Sequence, residues 1–293
     1  MKSVLLVNLG TPAAPTPEAV RAYLAEFLAD PRVVKLPRFV WLPILYGVVL
    51  RKRPAASAEK YAQIWTPQGS PLAVNTVRQA ALLQERMDVP VRYAMRYGQP
   101  TIADSLRGLA EPVVVPLYPQ YAESTTESVR DVLPPGTRMV ESFHDHPAYI
   151  AALAASLRRH WEKHARGERL VMSFHGLPKK GASRYEAECR ETARLLAGQL
   201  STEYLVTFQS RFGYAEWLGP YTEPTLKELA AAGIKRVDVV CPGFVSDCLE
   251  TLEEIGITAR RAFLAAGGTE MSLVPCLNDS PEWINALQQI ARA

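Results

Sequence analysis

Cysteine is scarce in this chain and its spacing is uninformative. Four cysteines (Cys189, Cys241, Cys248 and Cys276) occur in 293 residues, and no two form a Cys-x-x-Cys pair. That argues against a zinc ribbon, a dithiol redox motif or an iron–sulfur cluster, and scattered thiols suit a reducing compartment. Dense basic blocks are absent too. With a net charge of +3, nucleic acid is not an expected partner. No Gly-x-Gly-x-x-Gly, Walker loop or serine-centred nucleophile elbow occurs, so nucleotide-binding and acyl-transfer readings lose support. Long apolar runs are lacking as well, since a bilayer span takes about 20 apolar residues. The start, Met1-Lys2-Ser3-Val4-Leu5-Leu6-Val7-Asn8, is too short in its apolar part for a signal-peptide core and reaches a turn at Gly10-Thr11-Pro12. It reads as a first buried strand, and the chain is expected to be cytoplasmic.

What is there belongs to an ordinary globular protein, 48% hydrophobic and 22% charged. Strand-like runs alternate with helical patterns, which predicts βα units and parallel sheets. Strands are expected at Val4–Asn8, Val91–Arg96, 113–115, Leu170–Ser173, Tyr204–Phe208 and Val237–Val240. Helices are expected at Glu18–Leu28 (capped by Thr16, with Pro17 in the first turn), Leu72–Met87, Ile102–Gly108, Thr125–Val132, Pro147–His164, Tyr185–Gln199, Pro224–Ala232, near Cys248–Ile255, and Pro281–Ala293. Leu5-Leu6-Val7-Asn8-Leu9-Gly10-Thr11-Pro12 parallels Leu170-Val171-Met172-Ser173-Phe174-His175-Gly176-Leu177-Pro178, and 113–118 parallels 239–244. The fold class expected is therefore α/β, with two related α/β domains, 1–145 and 146–280. The helix 281–293 would pack back on the first, and the cleft between the two would be the binding site.

Two segments attract chemistry. His175 follows the strand 170–173 and precedes Gly176 and Pro178, which stiffen the loop that presents it. A neutral imidazole can take a proton at pH 7, although a lone histidine is also commonly structural. Asp247, Glu250 and Glu254 lie three and four apart and are expected on one helix face, with Glu253 off that stripe. Such stripes are often solvated faces, but this one follows a buried-type strand and the turn Cys241-Pro242-Gly243-Phe244, where the crevice of an open α/β sheet lies. His144 and His146 read as a polar turn capping the helix that starts at Pro147, or as metal ligands. The uncharged stretch Phe39–Leu50, flanked by Arg38 and by Arg51-Lys52-Arg53, is either a core helix or the apolar lip of a pocket resting on a membrane surface.

Taken together, the motifs resemble the ferrochelatases, enzymes that insert ferrous iron into a porphyrin to complete haem. The resemblance runs through nearly the whole chain: 7–12, Ile64-Trp65-Thr66-Pro67-Gln68-Gly69-Ser70-Pro71-Leu72, Met95-Arg96-Tyr97-Gly98, Leu117-Tyr118-Pro119-Gln120-Tyr121, Ser173-Phe174-His175-Gly176-Leu177-Pro178, Thr207-Phe208-Gln209-Ser210-Arg211-Phe212-Gly213, Trp217-Leu218-Gly219-Pro220-Tyr221-Thr222 and 244–252. It implies two Rossmann-like domains, each a parallel sheet flanked by helices, facing across a porphyrin cleft, with His175 and Glu250 as catalytic residues. His175, Glu250 and Glu254 would handle the metal. Leu9, Arg96, Ser210, Trp217 and Phe244 would line the porphyrin site, and Phe39–Leu50 would form an apolar lip.

The same resemblance implies protoporphyrin IX and ferrous iron as substrates, a monomer, peripheral contact with the inner face of the membrane, and no cofactor beyond the iron. No cysteine-rich extension follows the last helix, so no iron–sulfur cluster is expected. The alternatives are a coproporphyrin ferrochelatase, or a porphyrin or haem carrier without turnover. Leu9 stands where coproporphyrin-using relatives tend to carry tyrosine, which favours protoporphyrin. Cys248 stands where many relatives carry histidine. The segments 129–142 and 179–188 look shorter than in most relatives.

Overall fold

A computed structural model describes residues 1–211 and 215–293 of the chain; Phe212 and Gly213 of the motif beginning at Thr207 lie outside the described residues. The chain divides into two compact units. Unit 1 is Met1–Glu141 with Gln288–Ala293, and unit 2 is Ser142–Leu287.

Unit 1 comprises β1 (Ser3–Asn8), α1 (Pro17–Ala29), α2 (Arg38–Ile44), α3 (Leu50–Ile64), α4 (Pro71–Gln84), β2 (Val91–Met95), α5 (Ile102–Leu106), β3 (Pro112–Pro116), α6 (Ser128–Arg130) and β4 (Arg138–Met139). Its strands pair in the order β2-β1-β3-β4, all parallel. Every residue of β1 is buried, as an apolar run in the middle of a parallel sheet must be when helices cover both faces. Thr16 caps α1, its hydroxyl accepting from the Ala19 amide at 3.3 Å. Sequence periodicity missed α3, where Arg51-Lys52-Arg53-Pro54 reads as an interruption. The helix persists because Leu50, Pro54, Ala58, Tyr61 and Ile64 recur at helical spacing on one buried face.

Unit 2 comprises α7 (Pro147–Lys163), β5 (Arg169–His175), α8 (Ser183–Leu200), β6 (Tyr204–Gln209), α9 (Thr222–Ala231), β7 (Arg236–Val240), a π-helical segment Glu250–Ala259 that runs into α10 (Arg260–Ala265), and β8 (Glu270–Leu273). The last helix, α11 (Pro281–Arg292), begins in unit 2 and ends in unit 1. The strands again run parallel, in the order β6-β5-β7-β8. Both sheets thus share one strand order, and the two local likenesses noted in the sequence fall on equivalent strands, β1 with β5 and β3 with β7. β8 escaped notice because Glu270-Met271-Ser272-Leu273 is short, lies at a sheet edge and carries no β-branched residue.

Candidate active site

In unit 2 the functional side chains gather past the carboxyl ends of β5, β6 and β7, as an open parallel sheet directs. His175 closes β5 and pairs in register with Gln209, the last residue of β6. Its presenting loop is tied down on several sides. The Tyr185 hydroxyl donates to the His175 carbonyl at 2.8 Å, the Gly176 amide to the Gln209 carbonyl at 2.7 Å, and the Leu218 amide to the Leu177 carbonyl at 2.9 Å. A β-carbon on Gly176 would stand 2.6 Å from the Gln209 carbonyl oxygen, so only glycine fits this approach.

The His175 ring is half-buried and meets the edge of Phe244 at 6.3 Å with planes at 87°. Its Nδ1 is buried and has no hydrogen-bond partner. Burial lowers the His175 pKa below its ordinary value, and the nearby Glu250 carboxylate pushes it the other way. The indole nitrogen of Trp217 is buried and unpartnered as well. Buried polar atoms without a protein partner are uncommon, and two of them stand together at this end of the sheet.

The acidic run departs from the expected single stripe. Asp247 anchors its own loop, accepting from Asn278 Nδ2 at 2.7 Å, from the Cys276 amide at 3.2 Å and from the Thr251 hydroxyl at 3.2 Å. Glu253 is buried and accepts from Thr258 Oγ1 at 2.8 Å. Glu250 and Glu254 both bond at the end of β6, Glu250 through its backbone carbonyl and Glu254 through its side chain. The Glu250 carbonyl accepts from Gln209 Nε2 at 2.8 Å, and the Glu254 carboxylate accepts from the Ser210 amide at 2.7 Å and from its hydroxyl.

The reason is where the helical segment starts. Residues 250–259 are π-helical, with i→i+5 bonds and a wider turn, a form that concentrates at functional sites. Spacings of three and four assume the tighter α-helix. Asp247, moreover, precedes the segment, so its direction is set by the loop. Among the described residues no cluster of three or more His, Cys, Asp or Glu side chains forms a closed metal site. The thiol of Cys248 is pushed well above its ordinary pKa, by burial first and then by the charge of Glu250. With no metal beside it, the thiol stays protonated at neutral pH.

Ser210 therefore stands as a partner of Glu254, and it does so with left-handed backbone, φ +67°. Trp217 lies against the His175 loop, bridging to Pro178. His146 caps α7, its Nδ1 accepting from the Ala148 amide at 3.3 Å, while His144 bonds to Ser142 at 2.7 Å. Neither is poised as a metal ligand.

Leu9 and Arg96 belong to unit 1. Leu9 is half-buried, and its carbonyl accepts from the Tyr97 amide at 2.9 Å. Arg96 donates to Asp30 at 2.6 Å and, through Nε, to both the carbonyl and hydroxyl oxygens of Ser128 at 2.8 Å. It lines a recess of about 470 Å³ together with Asp30, Arg38, Tyr46, Tyr97 and Asp131. Sequence reading missed Asp30, Tyr97 and Ser128. Asp30-Pro31 looks like nothing more than the end of α1.

The stretch 39–50 is neither wholly core nor wholly lip. Trp41, Leu45 and Leu50 are buried, whereas Phe39 is 82% exposed and Val40, Ile44, Tyr46 and Val48 are also exposed. No helix among the described residues is long and apolar enough to cross a membrane.

A sequence profile of the ferrochelatase family matches residues 1–293. Curated relatives include a ferrochelatase of Azoarcus sp. (strain BH72), 55% identical over 314 positions covering 99% of this chain and 86% of the relative. A ferrochelatase of Methylibium petroleiphilum is likewise 55% identical, with the same shares covered. The alignments run longer than the chain itself, so these relatives carry residues at internal positions where this chain has none. Among solved structures, CbiX, described as the terminal enzyme for siroheme biosynthesis in denitrifying bacteria, superposes with a TM-score of 0.54 at 16% identity, covering 99% of this chain and 98% of CbiX. DR2241 of Deinococcus radiodurans, described as structurally similar to chelatases, gives 0.55 at 14% identity, covering 99% of this chain and 54% of its own. The structural likenesses speak to fold alone; by the full-length sequence matches, the chain belongs to the ferrochelatase family.

Proposed function

We propose that this ferrochelatase takes protoporphyrin IX as its porphyrin, with His175 as the base and Glu250 as the carboxylate that receives iron or relays protons. The reaction exchanges one Fe²⁺ for the two pyrrole N–H protons of the free porphyrin, so a proton acceptor must stand close to the ring nitrogens. The observation that carries the reading is the buried, unpartnered Nδ1 of His175 in the field of the Glu250 carboxylate. Burial keeps the imidazole neutral at pH 7 and ready to accept a proton. Glu250 stabilises the imidazolium that results, and its oxygens suit a hard divalent ion in transit.

Glu254, held by Ser210, extends the acidic path away from Glu250. The indole of Trp217 and the ring of Phe244 supply apolar area for a flat macrocycle, and the ferrochelatase likeness is what suggests Leu9 and Arg96 as further porphyrin-site residues. Leucine at position 9 favours protoporphyrin over coproporphyrin. The iron is substrate, and no further cofactor enters. We read the chain as a cytoplasmic monomer whose exposed Phe39, Val40, Ile44, Tyr46 and Val48 rest on the inner membrane surface, where an apolar porphyrin is available.

The test is anaerobic absorbance of protoporphyrin IX with Fe²⁺ and purified protein, wild type beside His175→Ala and Glu250→Gln. Loss of the free-porphyrin bands and growth of a haem spectrum are expected with wild type. Each variant should lose at least about 100-fold in rate, the scale of a missing acid–base group, while still binding porphyrin. Wild-type turnover in His175→Ala would remove it as the base. Faster insertion into coproporphyrin would reassign the substrate, and binding without insertion by wild type would leave a carrier.

A further inference from the structure

Gln209 ends β6 directly beside His175, yet neither charge nor reactivity singles it out. It is 4% exposed, and its polar groups are engaged. Its backbone carbonyl accepts from the Gly176 amide at 2.7 Å. Its side-chain oxygen accepts from the Ser173 hydroxyl at 2.7 Å and faces Cys241 Sγ at 3.9 Å, and its side-chain nitrogen donates to the Glu250 carbonyl at 2.8 Å. The orientation of the amide is thereby decided: reversing it would set oxygen against the Glu250 carbonyl and nitrogen against the Ser173 donor.

One buried side chain thus joins the strand that delivers the imidazole, at Ser173 two residues before it, to the first residue of the π segment that delivers the carboxylate. A methionine would fill the same volume without burying an amide that must be bonded on both sides. We propose that Gln209 is a positioning residue for iron insertion, holding the Glu250 backbone at a fixed place relative to His175.

The inference rests on the reading of His175 and Glu250 given above. It assigns Gln209 no contact with substrate; its effect passes through the separation of the two groups that act. A misplacement of about 1 Å costs on the order of 100-fold in rate when reacting groups must be aligned. Ser173 belongs to the same device, because its hydroxyl orients the amide.

The experiment measures kcat and KM for protoporphyrin IX and Fe²⁺ in Gln209→Met, Ser173→Ala, the double variant and His175→Ala, each checked for native thermal unfolding. Gln209→Met should lower kcat by about 10- to 100-fold and leave the porphyrin KM within about threefold of wild type, since binding surface is untouched. Ser173→Ala should lower kcat less, and the double variant should be no slower than Gln209→Met, because both changes disable one amide. Wild-type kcat in folded Gln209→Met overturns the proposal, as does a loss confined to KM or a double variant in which the two losses multiply. If Gln209→Met does not fold, Ser173→Ala decides alone, and wild-type kcat there overturns it. Activity surviving in His175→Ala sinks the underlying reading of the base. An inactive His175→Ala beside a fully active Gln209→Met sinks only the positioning role.

Discussion

Ser210 grips Glu254 with both its backbone amide and its hydroxyl, and it does so from a left-handed backbone at φ +67°. A residue with a β-carbon pays about 1–2 kcal/mol for that conformation. Persistence of such strain at the end of β6 shows how firmly the surroundings hold it. Ser210→Ala and Ser210→Gly both lose the hydroxyl bond and should both slow iron insertion. They should differ in stability, with Ser210→Gly about 1 kcal/mol more stable than Ser210→Ala by urea denaturation. Equal midpoints would mean that the backbone is not strained.

Gly176→Ala tests the close approach of the His175 loop to β6. The new methyl would sit 2.6 Å from the Gln209 carbonyl oxygen, a backbone atom that cannot swing away, and 3.4 Å from the Trp217 ring. Overpacking of this kind costs about 1–3 kcal/mol, and the loop must shift to relieve it. We expect a loss of stability in that range together with a drop in kcat, because the displaced loop carries the base. A stable and fully active variant would show that the loop gives way without consequence.

Stability should depend on pH through His160. Burial lowers its pKa, the adjacent His164 ring at 4.5 Å lowers it further, and Asp238 opposes both. The neutral form is therefore favoured in the folded state. Above about pH 6.5 neither state carries the proton and nothing is lost. As pH falls below that value the unfolded chain protonates first, and stability declines until the folded pKa is passed. His175, whose pKa burial also lowers, adds a change of the same sign. Thermal unfolding between pH 7.5 and pH 5 should show the decline, and His160→Gln should flatten it. An unchanged slope in His160→Gln would assign the dependence to other groups.

Arg96 and Asp30 form an ion pair at 2.6 Å with both side chains largely buried. Asp30 also accepts from the hydroxyls of Tyr97 at 2.9 Å and Ser128 at 2.8 Å. Removing the cation alone leaves a buried carboxylate uncompensated, so Arg96→Leu should destabilise unit 1 by about 3–5 kcal/mol. Arg96→Leu combined with Asp30→Asn should recover part of that loss. If the double variant were as unstable as Arg96→Leu, the pairing would not be what Arg96 supplies.

Local order was legible because it is written in neighbouring residues. The apolar run 4–7, the Thr16-Pro17 helix start and the recurrence of strand and helix along the chain each need only a few adjacent positions, and all of them stand in the structure. The short likenesses that tie β1 to β5 and β3 to β7 were legible for the same reason. His175 and Glu250 stand out in the sequence by their place past buried-type strands, which needs no three-dimensional contact to read.

Contacts between distant residues decided the rest. Residues 250–259 wind as a π-helix, and the residues that Glu250 and Glu254 bond, Gln209 and Ser210, lie over forty positions away. The acidic run splits because Asp247 precedes that segment and bonds to the loop at Asn278, while Glu254 within it bonds to Ser210, although spacing placed them on one face. Arg96 meets Asp30 across 66 positions and Ser128 across 32, and no local pattern announces either. Periodicity along a chain tells which way a side chain faces relative to its own element. What it faces is set by the packing of one element on another, and the chemistry of this protein depends on that second step.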